Sequence, residues 1–413
     1  MKIIKAKDLR PENAAYEEIK EIEAVRGIIA EVRKNGDGAI RKYTKKFDGV
    51  DSGSFEITQK QIRQAYKRVD RKTIAALRKA AGNIRFFAKA QFRDIKNFTV
   101  ENNGVTLGQK IVPIGSAGCY VPGGRYPLPS TALMSVIPAK VAGVKQVIVC
   151  SPKIKPATIV AADIAGADRI FNVGGVQAIA AMAYGTRTIP KADKIVGPGN
   201  KFVTAAKKEV YGAVGIDFLA GPSEVLIIAD GTGDAKMIAA DLLAQAEHDT
   251  NARADLITTS GELAKNVNFE LEKQLKELST REVAAAALKN GRIILVNNLG
   301  EAVKISNAKA PEHLELQVKS LYKIVDRLTS YGSLFIGKYS AEVFGDYCSG
   351  TNHTLPTNGA ARYTGGLCVK DFVKVLTWQK ITKKGSKDMI RIASRLAETE
   401  GLDAHKKAAE CRK

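Results

Sequence analysis

Short apolar segments alternate with helical segments between residues 129 and 229, and this alternation constrains the fold more than any other feature. Helical patterns cover 131–143 and 157–166, and two further helices are expected after Gly175 and Asn200. The apolar segments between and after them are Gln146–Cys150, Arg169–Val173, Lys194–Val196 and Val225–Ala229. Strands that alternate with helices of this length predict βαβ units and therefore a parallel sheet.

A second stretch of alternating strands and helices begins at Val225–Ala229, the last strand of the stretch described above. A helix that carries Gln245 and His248 follows that strand, and further helical patterns cover 261–290 and begin again at 299. The apolar strands of this stretch are Leu256–Thr259, Ile293–Asn297 and Ser333–Ile336. We therefore predict a second α/β unit with a sheet of its own.

The two ends of the chain lack this alternation. In the first quarter we expect helices at 11–34, 39–47, 59–69 (after an N-cap at Thr58) and 71–92. Asn103-Gly104 between two β-prone segments predicts a hairpin. In the tail, Ser386 can cap a helix with one apolar stripe, and 402–411 form a last helix. Because the tail has few other apolar residues, that stripe must pack on the main body or on a second subunit.

The predicted fold class is α/β, with two Rossmann-like α/β domains that have parallel-sheet cores, a helical N-terminal segment and a small helical C-terminal appendage. The expected divisions are a helical arm at 1–20, a first α/β domain at 21–120 plus 227–367, a second at 121–226, and a tail domain at 368–413. The first α/β domain is therefore expected to be discontinuous, with the second inserted into it.

Composition narrows the range of functions. The 64 basic and 43 acidic residues give a net charge of +21, which favours anionic ligands such as a dinucleotide or a phosphate. The basic residues are spread along helices and not interleaved with aromatic residues, which disfavours nucleic-acid binding. The sequence has no membrane-spanning apolar run, no signal-peptide core and no Cys-x-x-Cys pattern among its five cysteines. We expect a cytoplasmic protein with reduced thiols.

Three glycine-rich segments are candidate anion sites. Gly174–Gln177 and Gly197–Asn200 each follow a predicted strand and open a helix, whose N-terminus favours phosphate. Gly115–Gly124 would let backbone N–H groups approach an anion, or would be a flexible turn. This last segment lacks the Gly-x-Gly-x-x-Gly spacing of the usual dinucleotide fingerprint.

The four histidines, His248, His313, His353 and His405, all have polar neighbours. Gln245 and His248 lie three residues apart at the end of an apolar helix, so they could hold a metal ion or could simply be solvated. Glu312 and His313 are adjacent groups that can accept protons near neutral pH, or a pair at a turn.

The remaining polar residues lie in a loop and in the tail. Within the glycine-punctuated loop Gly345–His353, Asp346 could be an oxygen ligand of a metal, and His353 a ligand or a substrate contact. Glu400 and His405 in the tail offer one more carboxylate and imidazole.

Taken together, these motifs resemble the histidinol dehydrogenase family over nearly the whole chain. The matching motifs, in order and spacing, are Gly118–Gly124 with Tyr120, Gly174–Gln177, Gly197–Asn200, Ala220–Glu224, Gln245–His248, Pro311–His313, Gly345–His353 and Glu400–His405. The resemblance implies a zinc-dependent, NAD-linked oxidation of L-histidinol to L-histidine through L-histidinal, the last two steps of histidine biosynthesis. It also implies a homodimer whose tail reaches the partner's active site.

The resemblance also implies a role for each matching residue. The zinc ligands, one zinc per subunit, would be Gln245, His248, Asp346 and His405, with His405 supplied by the other subunit. The catalytic pair would be Glu312 and His313. The substrate would be held by Ser223, His353 and Glu400, and would also contact His313 and the four zinc ligands. NAD would bind in the domain at 121–226, against Tyr120, Gln177 and Asn200, and zinc would orient the substrate without a redox role.

The residue chemistry suits this scheme. Removal of a hydride from an alcohol requires a base for the hydroxyl proton, which His313 could be, and a carboxylate such as Glu312 could activate water for the aldehyde stage. This division of the two roles is a hypothesis.

Three other functions compete with this one. The nearest is a dehydrogenase of the same fold that oxidises another polyol, such as a sulfonated diol, although Glu400 and His353 favour histidinol. A zinc hydrolase would leave the NAD loops without a use. A basic nucleic-acid-binding protein would leave the histidine motifs unexplained.

Overall fold

A computed structural model describes residues 1–9, 22–50, 54–123 and 126–413. The helices of the described chain are α1 (Ile22–Asn35), α2 (Asp37–Asp48), α3 (Gln59–Arg68), α4 (Arg71–Arg93), α5 (Pro129–Ala142), α6 (Pro156–Ala165), α7 (Gly175–Tyr184), α8 (Lys201–Val210), α9 (Ala235–Ala246), α10 (Gly261–Leu275), α11 (Arg281–Ala287), α12 (Leu299–Lys309), α13 (Glu342–Tyr347), α14 (Lys383–Thr399) and α15 (Asp403–Glu410). The strands are β1 (Lys2–Lys5), β2 (Phe98–Asn102), β3 (Val105–Pro113), β4 (Ser116–Tyr120), β5 (Gln146–Cys150), β6 (Arg169–Phe171), β7 (Lys194–Val196), β8 (Gly215–Ile216), β9 (Glu224–Ala229), β10 (Arg253–Thr258), β11 (Arg292–Leu295), β12 (His313–Gln317), β13 (Ser333–Ile336) and β14 (Val373–Ile381).

A five-stranded parallel sheet has the order β6-β5-β4-β7-β8. Its core lies on both faces, with α5 and α6 contributing to one apolar cluster and α7 and α8 to the other. The helices α1–α4 continue these layers, because α1 packs on α7 and α8, and α4 packs on α5 and α6. The expected division placed residues 21–120 in the other α/β domain, so the packing of α1–α4 differs from that expectation.

The central strand β4 lies within the segment that the sequence analysis treated as a glycine-rich loop. Its residues pair with β5 on one side and with β7 on the other. Gly118 permits this position, because a Cβ there would lie 2.7 Å from the sulfur of Met182. The strand is short and glycine-containing, so only its non-local pairing distinguishes it from a loop. The boundary expected at residue 120 therefore falls directly after a strand of the five-stranded sheet.

A six-stranded parallel sheet has the order β1-β11-β10-β9-β12-β13. Strands β9, β10, β11 and β13 agree with the predicted alternation, whereas β12 was not predicted as a strand. Residues 1–20 were expected to form a helical arm, but Lys2–Lys5 form the edge strand β1 and pair with Arg292–Leu295. The rest of that expectation falls largely on residues 10–21, which lie outside the described residues.

The third sheet is antiparallel, with the order β14-β3-β2, and joins one strand of the tail to the hairpin of β2 and β3. The expected hairpin is confirmed, with Asn103 at φ 51° and Gly104 at φ 78° between β2 and β3. Strand β14 pairs with the whole length of β3, from Val373 to Ile381, and was not predicted. Helix α14 begins earlier than expected, because Thr382 rather than Ser386 caps it by accepting a hydrogen bond from the Gly385 N–H.

The helix expected at 11–34 is described only from Ile22, as α1, because residues 10–21 lie outside the described residues. The helices expected at 39–47, 59–69 and 71–92 agree with α2, α3 and α4. Thr58 caps α3 through a capping box with Gln61, and two prolines begin α5 and α6 at their first turns. In the part of the chain that is described, no helix is long and apolar enough to cross a membrane.

Candidate active site

Strand β12 carries the centre of the site into the middle of the six-stranded sheet. Its first residue, His313, pairs with Val225 of β9 and Ser333 of β13. Ala310 lies before it at φ 52°, which ends α12 and turns the chain through Pro311 into the strand. Glu312 and His313 are both buried, with 6% and 4% of their surfaces exposed. The pair therefore lies at the amino ends of these strands, in a dry environment.

Glu312 has a fixed orientation. Its Oε2 accepts a hydrogen bond from the backbone N–H of Glu224 at 2.9 Å, and its backbone carbonyl accepts from the N–H of Ser333 at 2.9 Å. The adjacent Gly332 leaves no room for a side chain, since a Cβ there would lie 2.5 Å from the Glu312 carbonyl oxygen. Burial raises the pKa of Glu312 to about 8, although the nearby His313 acts in the opposite direction.

Three carboxyl groups surround the His313 imidazole. Its Nδ1 lies 3.4 Å from Glu342 Oε1 and 3.8 Å from Glu312 Oε2, and its Nε2 lies 3.5 Å from Asp346 Oδ1. The Glu224 carbonyl oxygen is also 3.3 Å from Nδ1. Burial disfavours the imidazolium form, but the charges of Glu342, Glu312 and Asp346 together raise the pKa of His313 well above its usual value.

The pKa values of Glu342 and Asp346 are shifted in opposite directions. Burial raises the pKa of Glu342 well above its usual range, with the charge of His313 acting against it. Burial also tends to raise the pKa of Asp346, but the hydrogen bond and the charge of His313 outweigh burial and hold this pKa below its usual value. If all three carboxyl groups were ionised around one imidazolium, the site would carry an excess of negative charge, which a divalent cation could neutralise. The chemistry of the donor set therefore fits a metal ion.

Gln245, His248 and Asp346 lie around one end of α9. The helix ends at Ala246, so His248 lies in the turn after it, with its N–H donating to the Gln245 carbonyl. The His248 imidazole is 39% exposed, and its Nε2 lies 4.0 Å from Asp346 Oδ2. Gln245 is completely buried, and neither polar atom of its side chain has a hydrogen-bond partner among the described residues. A buried amide without partners is costly, so Gln245 fits a site that a ligand or a metal would complete.

His353 connects the Asp346 loop to the five-stranded sheet. Its Nδ1 lies 2.8 Å from the backbone oxygen of Asp346, and its Nε2 lies 3.1 Å from the hydroxyl of Thr131 in α5. Burial lowers the pKa of His353 below its usual value, so the imidazole is neutral at neutral pH. His353 thus joins the loop after α13 to helix α5, which packs on β4 and β5 of the five-stranded sheet.

The predicted glycine loops lie at the carboxyl ends of the five-stranded sheet. Gly174–Gln177 follows β6, and the Tyr120 hydroxyl at the end of β4 accepts a hydrogen bond of 3.1 Å from the Gly175 N–H. Gln177 is 1% exposed, and its side-chain polar atoms have no partner among the described residues. Asn200 caps α8, since its Oδ1 accepts from the N–H groups of Phe202 and Val203.

Neighbouring side chains leave no room for a Cβ at two glycines of these loops. A Cβ on Gly174 would lie 2.3 Å from the Pro152 side chain, and one on Gly199 would lie 2.3 Å from the Val203 side chain. Gly124, at the end of the third predicted loop, lies outside the described residues. The bare backbone beside two helix N-termini is the arrangement that suits a pyrophosphate.

The remaining predicted residues differ in their relation to this cluster. Ser223 is half-buried and directly precedes Glu224, whose backbone N–H and carbonyl contact Glu312 and His313. Glu400 and His405 are exposed on the tail, and within the described chain neither forms an ion pair or a hydrogen bond with Gln245, His248 or Asp346. Their assignment to the site stays a prediction.

Glu342 was missed by the sequence analysis although a signal was present. It lies four residues before Asp346, so both side chains share one face of the short helix α13. Among the described residues, His313, Glu342 and Asp346 form a group that could hold a metal ion, with one donor atom of each within 4.8 Å of the others. The structure therefore contains a possible metal-binding triad that overlaps the predicted ligand set at Asp346.

Comparisons with known proteins agree with this geometry. The sequence model of histidinol dehydrogenases matches residues 11–413. The chain belongs to the histidinol dehydrogenase family. It is 48% identical over 404 residues to the enzyme from Methanocaldococcus jannaschii, covering 97% of this chain and 94% of that protein. It is 47% identical to the one from Bacillus cereus, covering 99% of this chain and 96% of that protein.

A solved structure shows the same fold. The crystal structure of histidinol dehydrogenase from Elizabethkingia anophelis superposes with a TM-score of 0.93 at 40% identity, covering 96% of this chain and 93% of that one. The family predicted from the sequence motifs and the α/β fold class are therefore confirmed.

Proposed function

We propose that the chain oxidises L-histidinol to L-histidine through L-histidinal, with two NAD as hydride acceptors and one water consumed. The observation that carries this proposal is the buried Glu312–His313 pair beside Asp346, which is followed by a loop from which His353 reaches Thr131 of α5. Each stage removes a hydride from the substrate carbon and a proton from the hydroxyl oxygen on that carbon, so the site needs proton acceptors as well as a dinucleotide.

His313 suits the alcohol stage. Its Nδ1 is held between the Glu224 carbonyl and Glu342. The charge of Asp346, which helps to raise the pKa of His313, would be offset when Asp346 is a zinc ligand, so a proton kept on Nδ1 would leave the Nε2 lone pair for the substrate hydroxyl. Glu342 then stabilises the imidazolium that forms when Nε2 takes the proton. NAD, when bound at the glycine loops, would accept the hydride.

Glu312 suits the aldehyde stage. Hydration of the aldehyde requires removal of a proton from water, and the Glu312 carboxylate can accept it because one oxygen is fixed by the Glu224 N–H. The hydrate then loses its hydroxyl proton to a base, as the alcohol did. The assignment of the two stages to the two residues remains part of the proposal.

Zinc, when bound, would orient the imidazole and amino groups of the substrate and offset the local negative charge. We propose Gln245, His248 and Asp346 as its ligands from this chain, with one zinc per subunit. This set is supported by the buried, unpartnered Gln245 amide and by the 4.0 Å approach of His248 to Asp346. It also leaves His313 available as a base.

The dinucleotide and the substrate would contact further residues. We propose Tyr120, Gln177 and Asn200 for NAD, with the Asn200 amide nitrogen as the donor since its Oδ1 caps α8. Ser223, His353 and Glu400 would hold the substrate. The domain that contains the five-stranded sheet would thus bind NAD. We also propose that the protein is cytoplasmic, as expected from the sequence.

We also propose a homodimer in which the tail at 368–413 supplies Glu400 and His405 to the partner's site. Two observations support it. Glu400 and His405 are exposed, and within the described chain they form no hydrogen bond or ion pair with Gln245, His248 or Asp346. Helix α14 exposes Met389, Ile392 and Leu396 along one side, and Leu402 after it is also exposed.

The decisive assay is NADH formation with L-histidinol. We expect two NADH per histidinol consumed, and loss of activity after chelation that zinc restores. One NADH per histidinol, or oxidation of other polyols in preference to histidinol, would contradict the proposal. Activity that withstands complete metal removal would contradict only the zinc assignment.

The two candidate metal sets predict different behaviour of two variants. If Gln245, His248 and Asp346 bind zinc, His248→Ala removes a ligand. It should then weaken zinc binding by more than the roughly 10–100-fold that is lost when a residue that only supports a ligand is replaced. Glu342→Gln, which keeps the helix and a hydrogen-bonding group, should stay within that range. Zinc content after dialysis at fixed free zinc measures both, and the reverse result would assign the metal to His313, Glu342 and Asp346.

A further inference from the structure

A buried ion pair lies beneath the loop Gly197–Asn200. Lys207 of α8 and Asp217 after β8 are almost fully enclosed, with side chains 3% and 1% exposed, and their charged groups are in contact. The Lys207 Nζ also donates hydrogen bonds of 3.0 Å to the carbonyl oxygens of Gly197 and Phe218. The ammonium group therefore donates two hydrogen bonds to backbone carbonyls and makes an ion pair with Asp217 Oδ1.

The pair holds both polar groups of one residue. The Gly197 N–H donates to Asp217 Oδ2 at 2.8 Å, while the Gly197 carbonyl accepts from Lys207. Gly197 has φ +115°, and a Cβ there would lie 2.1 Å from the Tyr120 carbonyl oxygen. Its peptide groups are thus fixed in an orientation that favours glycine, directly against the end of β4.

Stability alone is a weak reason for such a pair. Desolvation of two buried charges offsets most of their attraction, and apolar residues of similar volume are often equally stable. The charges also cancel locally, so the pair offers little net attraction to a phosphate. What the pair does supply is a fixed peptide at Gly197, four residues before Lys201, the first helical residue of α8, in the loop that ends at Asn200.

We propose that Lys207 and Asp217 are positioning residues for the dinucleotide, which hold the Gly197–Asn200 loop in the shape that receives it. The proposal rests on the proposed NAD site at this loop. Neither side chain reaches the surface, so both act through the Gly197 peptide groups. Loss of these hydrogen bonds should weaken NAD binding, while the His313 and Asp346 cluster is left intact.

The test compares variants with and without these hydrogen bonds. Lys207→Met with Asp217→Leu removes both anchors together and leaves no unpaired charge. We expect its KM for NAD to rise about tenfold or more, because small misplacements of binding groups have large effects. The KM for histidinol and the zinc content should stay within about twofold of wild type. Lys207→Gln with Asp217→Asn keeps uncharged hydrogen-bonding groups and should restore most of the NAD affinity.

A second ion pair in the same half of the molecule is the matched control. Arg169 at the start of β6 binds Glu56 through two hydrogen bonds of 2.8 and 2.6 Å, at the opposite ends of the strands from the loop. Glu56→Gln with Arg169→Met should lower thermal stability and leave the KM for NAD unchanged. If the apolar double variant does not fold, Lys207→Gln with Asp217→Leu removes only the acceptor of the Gly197 N–H and should still raise the KM for NAD.

An unchanged KM for NAD in a folded variant that lacks the Gly197 N–H acceptor would overturn the positioning role. Asn200→Ala distinguishes this failure from failure of the NAD site. If Asn200→Ala raises the KM for NAD and the Lys207 and Asp217 variants do not, only the positioning role is wrong. If none of them changes it, the dinucleotide binds elsewhere and both proposals are wrong.

Discussion

Replacing Glu312 by glutamine is expected to slow the oxidation of L-histidinal by about 100–10,000-fold while the first oxidation of L-histidinol continues. The glutamine amide has the same shape and can still accept the hydrogen bond from the Glu224 N–H, so the fold of the site should persist. It cannot accept a proton from water. Supplied with histidinol, the variant should therefore release NADH once per turnover and accumulate the aldehyde.

His313→Gln provides the comparison, since the proposed scheme requires His313 for the hydroxyl proton at both stages. Single-turnover NADH formation with histidinol and with added histidinal separates the two half-reactions. Equal loss of both in the Glu312 variant would contradict the division of roles. In the unmodified enzyme the histidinal rate should fall as the pH is lowered through the raised pKa of Glu312, about 8, because protonation removes the base. That dependence should be absent from the variant.

The local parts of the fold could be predicted because their causes lie within a few residues. Asn103-Gly104 accepts the positive φ angles of a tight hairpin, and Thr58 with Gln61 forms a complete capping box. The helices and strands that alternate through the two parallel sheets follow from apolar periodicity alone. These signals depend on short stretches of chain, so a single sequence contains them.

The missed strands have causes that lie far away in the chain. Strand β1 pairs with β11, whose residues lie nearly three hundred positions later, and β14 pairs with β3. Strand β12 contains buried Glu315 and Gln317 at positions where a typical parallel strand is apolar, because that face lies against the site rather than in an ordinary core. Because polar residues occupy these positions of β12, the strand lacks the continuous apolar run by which a buried parallel strand is recognised in a sequence.

The site was predicted in its parts but not in its arrangement. Residue types marked Glu312, His313 and Asp346 as proton acceptors or ligands, and the family resemblance supplied the remaining roles. The contact of Glu342 with His313 could not be predicted, because it depends on how α13 packs beneath β12. Nor did the rule that ligands lie at the carboxyl ends of strands locate the proposed catalytic pair, Glu312 and His313, which lies at the amino ends of the strands of the six-stranded sheet. That rule describes only the glycine loops of the other sheet.

Mixing two inactive chains is expected to restore activity, and this result would establish the shared site. A His405→Ala chain and a Gln245→Ala chain each lack one proposed zinc ligand in every site of their homodimers. In a mixed dimer, one site combines the intact Gln245 of the first chain with the intact His405 of the second, and the other site lacks both. Random pairing in equal amounts gives half mixed dimers, each with one of two sites complete, so about one quarter of wild-type activity should return.

The position of His405 is what makes this outcome informative. It is exposed on α15, while the buried Gln245 side chain has no partner among the described residues and lies at the end of α9. If the tail folded back onto its own chain, each site would draw all its ligands from one subunit, and every site in the mixture would remain defective. Co-expression with two affinity tags isolates the mixed dimer, and its zinc content should be one per dimer. A mixed dimer without activity or zinc would show that the ligand set is wrong or that each tail serves its own subunit, whereas the Glu312 half-reactions would still test the chemistry independently.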